Sequence, residues 1–188
     1  CNDRIMGYPI GRAGVMPGVD GDFANTFDHS REDFRCYLSR QELDAYDITA
    51  ESTVTAHGFL HRFTNANQLR LSFPGGFAKR EDNAVLIKIQ LKNPRIENPK
   101  CEVFQYIRIT VDCLLDVIQE EDEAWVLKVP GIVVIRGAIS FISFEKAAES
   151  AKKELDGKSF DQLSGELRET WDRQLAKAKV SGNTPDKQ

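Results

Sequence analysis

His57 and His61 stand four residues apart, with Glu51 a short way upstream. On a helix that spacing would place two imidazoles on one face, as in the HExxH zinc motif. Here Gly58, Phe59 and Leu60 lie between them, with no Glu at the motif position, and the run reads as a strand. Four residues along a strand span roughly 13 Å, too far for one ion to touch both rings. Asp20 and Asp22 open a possible calcium loop, but the EF-hand pattern wants an oxygen ligand at its fifth position and Gly at its sixth. The chain has Ala24 and Asn25 there, so a turn is expected. Gly7, Gly11 and Gly14 are followed by no GK[ST] and form no phosphate cradle. Ser30, Ser140 and Ser143 lack a G-x-S-x-G setting. The run Glu120, Glu121, Asp122, Glu123 reads as a solvated turn between strands. A glycosidase holds two carboxylates about 5 to 10 Å apart across a sugar, and no spacing here identifies such a pair. Cys1, Cys36, Cys101 and Cys113 show no zinc spacing, and as an even set they permit two disulfides whose pairing stays open. On these residues alone the chain shows no catalytic and no metal-ligating site.

The elements that would position such residues are short strands followed by helices. Residues 48–64 alternate strictly, with Thr53, Thr55, His57, Phe59, His61 and Phe63 on one face and Val54, Ala56, Gly58, Leu60 and Arg62 on the other. Period-2 alternation rich in Thr, Val and Phe is a β pattern. Residues 6–27, rich in Gly and Pro, read as loop. Residues 34–43, 68–73, 84–91, 103–111, 123–129 and 132–142 read as strands. In 84–91, Val85, Ile87, Ile89 and Leu91 face one way, Lys88 and Gln90 the other. Pro74, Gly75 and Gly76 mark a break, and Asn93-Pro94 with Asn98-Pro99 an irregular loop. Short strands with turn signals between them predict an antiparallel β-sandwich rather than βαβ units.

Near Ser143 the period changes to 3.6. Ser143 is an N-cap candidate with Glu145 in the first turn. The helix it opens is expected to end at Leu155, with Gly157 in the left-handed position beyond. Ser159 and Gln162 form a capping box for a second helix. Its apolar stripe is Phe160, Leu163, Leu167, Trp171, Leu175 and Ala178, one face of an amphipathic helix. Glu149–Lys153 and Glu169–Arg173 are expected i,i+4 pairs. The stripe, with Trp171 at its centre, needs a cover. The sandwich, the first helix or another domain could each supply it. The fold class is therefore mainly β, an antiparallel sandwich followed by a two-helix C-terminal linker. Residues 1–143 would form the sandwich, 144–180 the linker and 181–188 a polar, disordered tail.

Composition excludes several classes. The balance of 25 Lys+Arg against 29 Asp+Glu gives a net charge of −4, which is no footprint for nucleic acid. The longest apolar run, around 131–135, is far too short to span a bilayer. The chain opens on Cys1, either a lipid-acceptor cysteine left by signal cleavage or, preferred, the arbitrary first residue of a fragment.

The order of several motifs resembles the amino-terminal domain of glycoside hydrolase family 92, the calcium-dependent exo-α-mannosidases. The residues carrying it are Phe27, His29 and Glu32, then Cys36-Tyr37 in place of a tyrosine pair. Ile48, Ala50, Glu51, Thr53, Thr55, His61, Arg62, Phe63 and Thr64 follow. Ile135-Arg136 and residues 139–143, with Glu145 and Ala147, come next, then Phe160, Asp161, Arg168, Trp171 and Leu175. Ser52, His57 and Phe59 depart from the family pattern, and residues 73–130 match it weakly. The resemblance implies a β-sandwich, a helical linker and then an (α/α)6 barrel. That barrel would carry the acid, the base and the calcium site of an inverting reaction on terminal α-linked mannose. No catalytic or calcium-binding residue is carried over to this chain. The implied cofactor of the whole enzyme is Ca2+, and the implied partners are the barrel in cis and a mannose-containing glycan. An extracellular or secretory location rests on the resemblance only. Phe160, Leu163, Leu167, Trp171 and Leu175 are the expected interdomain contact. Two other readings are a stand-alone carbohydrate- or partner-binding sandwich and a degenerate remnant of the enzyme.

Overall fold

A computed structural model describes residues 2–4, 7–23, 26–91 and 102–178. Among these residues fourteen strands precede two helices. The strands are β1 (Asn2–Arg4), β2 (Tyr8–Ile10), β3 (Ala13–Gly18), β4 (Thr26–Phe34), β5 (Ser39–Leu43), β6 (Thr49–Val54) and β7 (Gly58–Thr64). Next come β8 (Gln68–Ser72), β9 (Gly76–Glu81), β10 (Ala84–Leu91), β11 (Val103–Val111), β12 (Asp116–Glu121), β13 (Ala124–Lys128) and β14 (Ile132–Ser140). The helices are α1 (Phe144–Leu155) and α2 (Phe160–Leu175). A nine-stranded sheet runs β1-β4-β5-β6-β7-β14-β11-β10-β9, and a five-stranded sheet runs β12-β13-β8-β3-β2. The paired strands are antiparallel, as in β7 with β14 and β3 with β8. The expected antiparallel sandwich with two C-terminal helices is what the chain forms.

Alternation builds the core. Val85, Ile87 and Ile89 of β10, Ile107 and Ile109 of β11 and Phe59 and Phe63 of β7 project from the large sheet. They meet Val15 of β3, Leu69 and Leu71 of β8 and Leu127 of β13 from the small one. Each such side chain contributes roughly 1.5–3 kcal/mol by leaving water. Gly137 allows β7, β14 and β11 to lie close, since a Cβ there would meet the Arg108 carbonyl oxygen and the Phe59 ring. The outer face of the large sheet is covered by α1 across β14, β11 and β7, and by the start of α2 across β6 and β7. The molecule therefore has three layers, small sheet, large sheet and helices.

Several sequence-level expectations fail for physical reasons. The segment expected to be loop, 6–27, contains β2, β3 and the first residues of β4. Its prolines are tolerated because Pro9 lies on an edge strand, and Pro17 lies past the last residue of β3 that β2 reaches. Residues 34–43 are not one strand. The chain turns between β4 and β5, with Arg35 and Leu38 bonded to each other's carbonyls. Residues 48–64 are not one strand either. A tight loop at 55–57 folds them into the β6–β7 hairpin, closed by Thr55 N–H donating to the Gly58 carbonyl at 2.9 Å. Thr53 lies opposite Leu60 and Ser52 opposite His61. Thr53 thus shares the outer face with Leu60, while Phe59, His61 and Phe63 share the inner face with Ala50 and Ser52. The strands β9 and β12 escaped the sequence reading because they are polar and mostly exposed.

The helix signals hold. Ser143 caps α1 by accepting from the Lys146 N–H, and Ser159 and Gln162 close the capping box of α2. Gly157 takes a positive φ of 69° just past α1. The helix ion pairs differ: Lys146–Glu149 forms at i,i+3 and Arg168–Asp172 at i,i+4, in place of the two expected i,i+4 pairs. The turn at Asp20 is as read, with Asn67 Nδ2 donating to Asp20 Oδ1 at 2.9 Å. The expected tail, 181–188, and the Asn93–Pro94 loop lie outside the described residues.

Candidate functional site

The stripe of α2 divides into two halves with different surroundings. Phe160 and Leu163 are 3% and 2% exposed and pack with Leu60 and Leu155, with Leu38, Val134, Ala151 and Leu167 around them. Arg62 fastens this end. Its Nε donates to Glu51 at 2.6 Å and its Nη1 to Asp161 at 2.9 Å, while the guanidinium lies 4.4 Å over the Phe160 ring. Beyond Leu167 the same face runs off the sheet. Trp171 is 42% and Leu175 55% exposed. The local reason is reach: α2 meets the sheet mainly at β6 and β7, through its first two turns. The five residues expected at an interdomain contact are therefore two buried anchors, one half-buried leucine and two exposed apolar side chains.

The residues of the chemical motifs come apart. His57 sits in the β6–β7 loop, its Nδ1 2.7 Å from Glu154 of α1. The same carboxylate accepts from the His57 N–H at 3.0 Å, from the Gly58 N–H at 3.2 Å and from the Thr55 hydroxyl. Burial pushes the Glu154 carboxyl up, but these hydrogen bonds outweigh it and hold the group below the usual carboxylate range. Helix and hairpin are thereby clamped together. His61 instead faces the interior, 2% exposed, with Nδ1 2.7 Å from the Ser52 hydroxyl. Its Nε2 and the Tyr8 hydroxyl are buried without a hydrogen bond. The two imidazoles share no site. Among the described residues no group of three His, Cys, Asp or Glu is arranged to hold a metal. Cys36 is an exposed free thiol and Cys113 a half-buried one, so neither takes part in a disulfide. Cys1 and Cys101 lie outside the described residues.

Beside the clamp is a cleft of about 450 Å³ between the hairpin loop and the start of α1. Ala56, Ile139, Phe141 and Ile142 give it apolar walls, and Gln105 and Lys146 are among its polar groups. Phe141 and Ile142 are 61% and 72% exposed. Sequence reading missed this cleft because its residues come from three distant stretches, 56–57, 105 and 139–150. Its lining contains no Asp or Glu, so it lacks the paired carboxylates of glycoside hydrolysis.

No family model and no curated protein matches the chain. Solved structures do. A family GH92 inverting mannosidase from Bacteroides thetaiotaomicron aligns with a TM-score of 0.75 at 20% identity, covering 92% of this chain and 27% of its own. A family GH92 α-mannosidase of the same organism, in complex with mannoimidazole, gives 0.72 at 16% identity, covering 93% and 29%. A further GH92 family glycosyl hydrolase gives 0.72 at 17% identity, with the same 93% and 29%. The chain spans less than a third of the length of each. Nearly the whole chain thus has the fold of the part of a GH92 mannosidase that it covers.

Proposed function

We propose that this chain is the sandwich and helical linker of a GH92-type α-mannosidase, and that it is inactive alone. In this reading the whole enzyme removes terminal α-linked mannose from glycans with inversion. Its general acid and base belong to an (α/α)6 domain not contained in this chain. The observation that carries the proposal is the likeness along 92% of this chain to 27% of an inverting mannosidase. The exposed Trp171 and Leu175 support it, since a helix face of that kind is the shape of a surface awaiting a neighbour. They are the residues proposed to dock the catalytic domain, with Phe160 and Leu163 fixing the helix to the sandwich. The calcium implied for such an enzyme does not fit here, because the described residues hold no suitable donor cluster. It is therefore assigned to the catalytic domain.

The test is the gene on both sides of this coding sequence. A frame that continues into several hundred helix-rich codons is expected. Its product should release mannose from an α-linked mannoside as the β-anomer, seen by proton NMR at early times. Activity should fall on chelation and return with Ca2+, and this chain alone should release none. A closed frame on both sides, or a full-length product that binds mannosides without cleaving them, would overturn the proposal. The second result would favour a binding module or a degenerate remnant.

A further inference from the structure

On the outer face of the large sheet, Arg108 of β11 and Arg136 of β14 point the same way. Thr110 is directly opposite Arg136, so the two arginines are diagonal neighbours across the pair, with Cα atoms roughly 7–8 Å apart. Both are half-buried, and together with Thr110 they floor a cleft of about 450 Å³. Its wall is the second half of α1, with Ala148, Ala151 and Lys152, and Asp156 at the rim. Like charges side by side on a sheet repel and need a reason to be there.

The nearby acids do not supply one. Asp112 accepts the Val134 N–H at 2.9 Å. Glu81 pairs with Lys79 at 3.2 Å. Glu145 is held by Ser143 at the helix start. Among the described residues neither Arg108, Arg136 nor Lys152 makes a salt bridge. Asp156 is the one carboxylate lining the cleft, against three cations. Arg108, Arg136, Lys152 and Thr110 line a space larger than one tetrahedral anion, with the Thr110 hydroxyl donating to the Arg136 carbonyl at 3.4 Å.

We infer that this cleft binds a phosphate- or sulfate-type oxyanion, held by Arg108 and Arg136 from below and Lys152 from the side. Guanidinium forks match such oxygens in pairs, and an ammonium adds a point charge. The cleft lies beneath α1, away from the exposed end of α2, and the inference stands without the mannosidase proposal. The spare volume admits the anion free or as a monoester.

The experiment is calorimetric titration of the full chain with inorganic phosphate and with glycerol 3-phosphate, at fixed ionic strength set by chloride. Saturable binding is expected. Arg136→Gln and Arg108→Gln should each weaken it roughly tenfold, as loss of a charge-assisted contact does. Asp156→Asn should strengthen it. Because neither arginine has an ion-pair partner, both variants should melt within a few degrees of the parent in chloride. Lys152→Gln, at an exposed position, carries the test if an arginine variant fails to fold. Tighter binding of the ester would identify a phosphorylated molecule as ligand, and equal binding the free anion. Absence of saturable heat with either probe, or affinities unchanged in every variant, would overturn the inference.

Discussion

His61 is a base in a place with little to hold a proton. Burial drives its pKa down to about 4, and the Pro9 backbone opposes only part of that. Nδ1 is engaged by Ser52, while Nε2 is buried with no hydrogen bond of good geometry. In the unfolded chain the imidazole protonates near its ordinary 6.5. The unfolded state therefore binds the extra proton first as pH falls, and stability drops from about pH 6.5 down to the folded value, then levels. The loss from this one group is about 3 kcal/mol. Urea unfolding at pH 7 and at pH 4.5 should show it. In His61→Phe the pH slope over that window should flatten, although the stranded Ser52 hydroxyl lowers stability by about 1–3 kcal/mol at every pH. An unchanged slope in the variant would show that other groups set it. Period-2 counting placed His61 with Phe59 and Phe63, which is where it lies. It could not find Ser52, because that partner arrives only when the hairpin folds.

Helix α2 is the element whose two ends predict different behaviour. Phe160→Ala removes a ring buried at 3% exposure and stacked by Arg62. It should destabilise the chain by about 3–5 kcal/mol, the usual cost of emptying an aromatic core site. Trp171→Ser changes a side chain that is 42% exposed, and should shift stability by about 0.5 kcal/mol or less. Denaturant midpoints of the two variants decide the matter. A large loss from Trp171→Ser would mean that its ring packs within this chain. Legibility followed local signals. Helices α1 and α2 and strands β10 and β11 were readable because their caps or periods lie within the segment itself. The strands β2 and β3 were hidden behind Gly and Pro residues, tolerated because Pro9 lies on the edge strand β2 and Pro17 beyond the reach of β2. The β6–β7 hairpin was hidden by a loop at 55–57 without Pro, Asn or Asp to announce it. The candidate site was legible only as a stripe, since what covers each residue depends on how far α2 travels across the sheet.

At the scale of the molecule, the large sheet is common to both apolar clusters. Its inner face carries Phe63, Ile87 and Ile109, its outer face Leu60 under Leu155, Phe160 and Leu163. Sheet and helix layer are also tied by polar bonds, Glu154 to the 55–58 loop and Arg62 to Asp161. Removing either layer would bare one face of the same strands, so the two should unfold together. The exposed end of α2 shares none of this, and a helix end of about two turns is marginal in water without packing. Native-state hydrogen exchange should therefore divide α2. Amides near Leu163 and Leu167 should exchange only with global unfolding, at the rate of those in β10. Amides from Trp171 to Leu175 should exchange on the order of a hundredfold faster or more, through local fraying. Adding the proposed catalytic domain should slow that second group selectively, because it is the face left uncovered here. Uniform protection along α2 in the chain alone would mean that its end is already packed, and that the docking surface must be sought elsewhere on the sandwich.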